Sequence, residues 1–199
     1  MSTRERVLDA ALSSFAGRGY EATSLDALAS GLGIRKQTIL YYFSAKEALL
    51  EAVIDTGAAE LGHALEEGLI GAGPGFAKVE AVVRSVFRLA ARRPELLGLL
   101  REVSRLGPPA SDRLTAALDP LMGRAMSFLG AEMDAGAMRR NDPRLVLLAA
   151  YSAVIGAATE VEVLRGLGYQ PTARSLVRRR AELLAYLRSS LAQVDEQAD

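Results

Sequence analysis

Lys36, Gln37, Leu40 and Tyr41 share one side of a short helical stretch when turned at about 100° per residue. Their chemistry suits the edges of base pairs. Gln matches the donor and acceptor of adenine, Lys the two acceptors of guanine, and Leu can pack on a thymine methyl. Ile34 and Ile39 point the other way, inward, with Tyr42 beside them. A short helix held by its apolar side and offering Lys, Gln and Tyr outward fits a DNA major groove. The alternative reading takes Tyr41 and Tyr42 as packing residues and Lys36 as a solvated charge.

Such a helix needs neighbours to hold it. Leu25, Leu28, Ala29 and Leu32 stand at i, i+3, i+4 and i+7, giving the preceding helix one apolar face. Gly31 and Gly33 flank Leu32, where a tight turn between crossing helices calls for positive φ. Thr23 and Ser24 lie at a helix start, where free N–H groups favour a phosphate. Upstream, Ser2 and Glu5 have capping-box spacing, and Leu8, Ala11, Leu12 and Phe15 form a buried stripe ending near Gly19. Downstream, Ser44 and Glu47 repeat the box and open a long helix that lasts until the glycine-rich Gly71 to Gly75.

In order and spacing this quarter of the chain resembles the DNA-binding domain of the tetracycline-repressor (TetR) family of bacterial regulators. The resembling residues are Ala10, Ala11, Leu12, Phe15, Gly19 and Tyr20, then Thr23, Ser24, Ala29, Gly33, Ile34, Thr38 and Ile39, then Tyr41, Tyr42, Phe43 and the run Lys46 to Leu50. The resemblance implies phosphate contacts from Thr38, Tyr42 and Lys46, and a sugar or base contact from Tyr41. Two positions depart from the family pattern. Arg35 stands where a small hydroxyl residue is common and cannot act as an N-cap, but can supply a phosphate or guanine contact. Leu40 stands where a tyrosine is common and loses a phenol that meets the DNA backbone.

Beyond residue 50 the pattern stays helical. Phe76 to Arg93, Pro94 to Leu106, a helix capped at Ser111 or Asp112 and reaching Ala135, Asp142 to about Arg165, and a last helix opened by Thr172 are expected, with Val194 to Asp199 frayed. No alternating strand pattern occurs. The expected fold is all-α, with about nine helices. A three-helix, helix-turn-helix domain over 1–47 precedes a larger helical domain over 48–199 for ligand binding and dimerisation. The resemblance places a two-fold homodimer interface on the last two long helices. Leu145 to Ala158 is apolar nearly all round, as a dimer helix or an internal core helix would be.

The 199 residues carry 24 cations and 24 acidic groups, and residues 1–46 are net +2. That disfavours a non-specific nucleic-acid binder, so a few placed cations and helix starts must serve. There is no cysteine, and His63 is the single histidine, which argues against a metal site and, with no phosphate loop or acidic pair, against an enzyme. No cofactor is expected. The longest uncharged apolar stretch is shorter than the ~20 residues a membrane span needs, and no signal-peptide core opens the chain. A cytoplasmic location is the expectation.

Met122, Met126, Leu129 and Met133 form a stripe that, with Phe128 and Tyr151, could line a pocket for a small-molecule effector; plain core is the other reading. The leading expectation is a ligand-responsive repressor, released from a palindromic double-stranded operator by that effector. An activator of the same family, or a helical protein-interaction module without DNA binding, are the alternatives.

Overall fold

The computed structural model describes residues 1–170 and 172–192, so the expected frayed tail lies outside the described residues. Among the described residues there are ten α-helices and no strand. They are α1 (Thr3–Arg18), α2 (Leu25–Leu32), α3 (Lys36–Tyr42), α4 (Lys46–Leu69), α5 (Phe76–Arg92), α6 (Pro94–Leu106), α7 (Ala110–Asp134), α8 (Pro143–Thr159), α9 (Val161–Gly166) and α10 (Ala173–Leu191).

Local chemistry explains most boundaries. Both halves of the Ser2–Glu5 capping box form, with Oε2 of Glu5 accepting from the Ser2 N–H at 2.7 Å. Gly33 closes α2 in the left-handed region at φ 66°, and the Ile34 N–H reaches back to the Ala29 carbonyl. Gly31 is ordinary helix, so only one of the two glycines is needed for the turn. Thr172 caps α10 by accepting from the Ser175 N–H.

Three expectations are corrected. α4 begins at Lys46, which puts Ala45 rather than Ser44 at the cap, and Glu47 turns instead to the Tyr20 hydroxyl. α7 begins at Ala110, so Ser111 and Asp112 fall inside its first turn. The expected helix from Asp142 to about Arg165 divides at Glu160, whose ψ of 70° is not helical, which gives the described residues ten helices against the expected about nine. Just before the break, the Thr159 hydroxyl donates to the Ile155 carbonyl, a local bond that bends helices.

The helices pack into two compact units. One draws on Met1–His63 and Arg93–Asp119, the other on Ala64–Arg92 and the described residues from Pro120 onward. In the first, α1 lies against α2, α3 and α6. Phe15, Ile39, Leu49, Ile54 and Leu97 are all fully buried, each contributing about 1.5–3 kcal/mol. α1 and α6 meet closely: a Cβ added at Gly98 would stand 3.0 Å from the Cβ of Ala16. Arg113 forks onto Asp55 at 2.8 and 2.6 Å and reaches Glu51 at 3.0 Å, tying the start of α7 to α4. Its hydrogen bonds hold the Asp55 carboxyl below the usual range.

In the second unit α10 lies against α8 and α5, and α5 against α8. Leu129, Met133, Met138 and Leu191 form a core flanked by Phe76, Val79, Phe128, Val146 and Leu147. Arg124 pairs with Glu66 at 2.6 Å, and the Arg179 guanidinium donates to the Ala157 carbonyl at the end of α8. Within this one chain, α8 has a single buried residue, Val154. Leu145, Leu148 and Tyr151 are exposed, as are Val177 and Tyr186 on α10. An internal core helix would not leave them so.

Candidate nucleic-acid interface

α3 is pinned by Ile39, which has no exposed surface, and by Phe43, which closes the helix with its N–H on the Ile39 carbonyl. The guanidinium of Arg4 covers the Phe43 ring at 5.3 Å from its centre. Arg6 donates to the Leu32 carbonyl at 3.2 Å, satisfying an acceptor at the end of α2. The turn and the short helix are therefore fixed from below by α1.

What they present is polar and aromatic. Tyr41 is 82% exposed and meets Tyr42 edge to face at 5.1 Å between ring centres. Gln37, Arg35 and Leu40 are exposed, while Thr38 is half-buried. Arg35 holds the N-cap position of α3 without a side-chain cap bond, as its chemistry requires. Lys36 is not free: its Nζ is 2.8 Å from Oδ2 of Asp26 on α2. Both groups are well exposed, so a phosphate or a guanine can compete for the ammonium at small cost.

Ser24 is exposed and caps α2, accepting from the Ala27 N–H at 3.1 Å. Thr23 differs from the expectation. Its side chain is 1% exposed, its hydroxyl donates to the Gly19 carbonyl at 2.9 Å and its N–H to the Tyr20 carbonyl. With both donors committed inside the protein, Thr23 shapes the approach to α2 and offers no side chain to a ligand. Lys46 sits with its Nζ 4.1 Å above the Tyr20 ring. The Tyr20 hydroxyl donates to Glu47 at 3.2 Å, and burial, with the Glu47 charge next to it, pushes the phenol up to about 12.

Sequence reasoning missed Asp26, Arg4, Arg6 and Glu47 as supports. Only Asp26 carried a signal, as an acid beside a helix that needs cations.

The effector candidates differ in burial. Phe128 packs against the core of Leu129 and Met133 with Lys78 over its ring at 5.1 Å. Met126 and Tyr151 are exposed, and Met122 is half-buried. Two hollows of about 260 Å³ occur elsewhere. One, among α1, α4 and the start of α6, has Leu8, Leu12 and Val53 in its wall and Arg93 bridging Asp9 and Glu60 at 3.2 and 3.3 Å. The other lies by Ile70, Glu80 and Arg84. None of the four candidates lines either.

A sequence model described as "Bacterial regulatory proteins, tetR family" matches residues 7–53, which span α1 to the first turns of α4. The chain is similar to the HTH-type transcriptional regulator RutR of Escherichia coli (strain K12), 27% identical over 149 residues, covering 71% of this chain and 66% of RutR. It is also similar to IcaR, the biofilm operon HTH-type negative transcriptional regulator of Staphylococcus aureus (strain Newman). There the identity is 31% over 48 residues, 24% of this chain and 26% of IcaR. The fold is that of the transcriptional regulator FadR of Bacillus subtilis, solved in complex with stearoyl-CoA. Its TM-score is 0.77 at 20% identity, over 94% of this chain and 98% of that one. Among the described residues no helix is long and apolar enough to cross a membrane.

Proposed function

We propose that this chain, which belongs to the tetR family of bacterial regulatory proteins and is a DNA-binding transcription regulator, is a repressor that binds a palindromic operator as a homodimer and is released by a small molecule. In this reading residues 1–47 are the DNA-binding domain, and residues 48–199 bind the effector and dimerise. Arg35, Lys36 and Gln37 read base edges, Tyr41 meets a sugar or base, and Ser24, Thr38, Tyr42 and Lys46 meet phosphates. Thr23 supports the start of α2 from within. The protein would work in the cytoplasm.

One observation carries the proposal. Tyr41 and its neighbours stand out from a helix whose inner residue, Ile39, is wholly buried. A fixed base under an exposed polar and aromatic face is what groove insertion needs, because a mobile helix would lose ordering entropy on binding. Two copies would place their α3 helices in successive major grooves ~34–36 Å apart. The exposed leucines of α8 and the exposed Val177 and Tyr186 of α10 supply an apolar face for a second copy, and two-fold pairing is the common solution.

The negative regulation in the name of IcaR supports repression, and the stearoyl-CoA complex of FadR supports effector binding by this fold. Release requires different effector affinities for the DNA-competent and DNA-incompetent states, and α4 is the natural carrier because it runs out of the matched region into the body. A band shift tests the reading. Tyr41→Ala combined with Lys46→Ala should abolish binding to a duplex selected from a random pool, while sedimentation still shows a dimer. Unchanged binding would remove α3 from the interface.

A further inference from the structure

Among the charged groups outside the α2–α3 surface, Glu102 on α6 is placed in an unusual way. Its side chain is 10% exposed, and Oε1 accepts the backbone N–H of Tyr20 at 2.6 Å, across 82 positions of sequence. Arg105 fixes that carboxylate with Nε on Oε2 at 2.9 Å and Nη2 on Oε1 at 2.8 Å. An N–H at a corner that has left its helix must find a partner. Here the partner is charged, short and itself held, which makes the bond strong and directional.

The corner fixed in this way governs two groups assigned to phosphate. Its carbonyls, from Gly19 and Tyr20, accept the hydroxyl and the N–H of Thr23, whose next neighbour Ser24 caps α2. Its ring, packed edge-on against Phe15 at 5.3 Å, is the surface on which the Lys46 ammonium rests. Gly19 makes the approach possible: φ is 89°, and a Cβ there would stand 3.3 Å from Oε1 of Glu102.

We infer that Glu102 is a positioning residue for DNA binding, setting through the Gly19–Tyr20 corner where Lys46 and the start of α2 meet phosphate. The inference rests on the proposed contacts of Lys46 and Ser24. It gives α6, which touches no DNA in that proposal, a defined grip on the phosphate-facing groups. Lost phosphate contacts are distinguishable from lost folding because they lower the salt dependence of binding, not just its strength.

The experiment uses the full chain and a duplex recovered from a random pool with the wild-type protein, titrated at several salt concentrations. Lys46→Ala is expected to lower the slope of log K against log salt by about one. Glu102→Ala should lower it by about one or more and weaken binding about tenfold, with base preference kept. Adding Lys46→Ala to Glu102→Ala should lower the slope little further, since both remove the same contact. Glu102→Gln, which keeps an acceptor for the Tyr20 N–H, should restore most of the wild-type slope. If Glu102→Ala loses its cooperative melt, Glu102→Asp carries the test, because its shorter side chain withdraws the acceptor. A wild-type slope in Glu102→Ala, or in Glu102→Asp where that substitutes, overturns the inference, as does full additivity with Lys46→Ala. A Lys46→Ala variant with the wild-type slope overturns instead the contact on which the inference rests.

Discussion

α3 and α8 both show large side chains to solvent, and they do so for opposite reasons. α3 buries its aliphatic anchor, Ile39, completely and shows Tyr41 and Gln37. α8 buries only Val154 and shows Leu145 and Leu148, which are 64% and 59% exposed. The first surface is complete in one chain, and its exposed groups can hydrogen-bond to water until a polar partner replaces it. The second is aliphatic and gains by being covered, at about 25 cal/mol per Å² removed from water. In a single chain, therefore, water can serve the polar face of α3 but not the aliphatic face of α8.

The sharpest contrast comes from equal truncations on the two sides. Phe15→Ala, in the packed unit under α3, should cost about 3–5 kcal/mol in denaturant unfolding. Leu148→Ala should change the stability of the dilute single chain by no more than about 0.5 kcal/mol. A large loss at Leu148 under those conditions would show that α8 is core after all.

Next in size, Leu148→Glu should shift the chain from dimer to monomer in sedimentation at micromolar concentration, leaving its helical content intact. A wild type that sediments as a monomer would show that the exposed face of α8 has no second copy over it. Tyr41→Ala alone should weaken operator binding about tenfold without moving either the mass or the melting temperature. Any loss of stability there would return Tyr41 to the packing residues.

The smallest effects are in pH. The Tyr20 phenol is raised to about 12 in the folded chain, so its stabilising contribution is present below about pH 10 and is lost as pH rises from about 10 through about 12. Tyr20→Phe should flatten the unfolding free energy across that window. At the acid end, Arg105 holds the Glu102 carboxyl below its ordinary value. That stability is present above about pH 4.5 and should fade as pH drops below it. Glu102→Gln should remove only its own share of the acid-side loss, Asp55 keeping its part, while leaving the alkaline step unchanged.

Much of the geometry around α3 was legible because it is local. The capping box of α1, the left-handed Gly33 and the sidedness of α3 are all decided within four or five residues of sequence. Even the missing cap at Arg35 follows from the side chain alone. The break at Glu160 was not legible, since neither glycine nor proline marks it and the bending bond depends on how Thr159 is turned. The burial of the methionine stripe was not legible either: helical spacing put Met133 and Met126 on one face, and packing buried the first and left the second 36% exposed.

Residue types and their spacing are enough to fix the apolar side of α1 and α2, the starts of most helices, and a basic and aromatic α3 after a glycine corner. It took the packed helices to turn Thr23 inward, bring Lys36 to Asp26, bring Glu102 back to Tyr20, and leave Leu145, Leu148 and Tyr151 of α8 uncovered in a single chain. The reason is range. Caps and turns are settled by hydrogen bonds between near neighbours, whereas burial and a carboxylate's choice of partner depend on which distant helix the fold brings alongside.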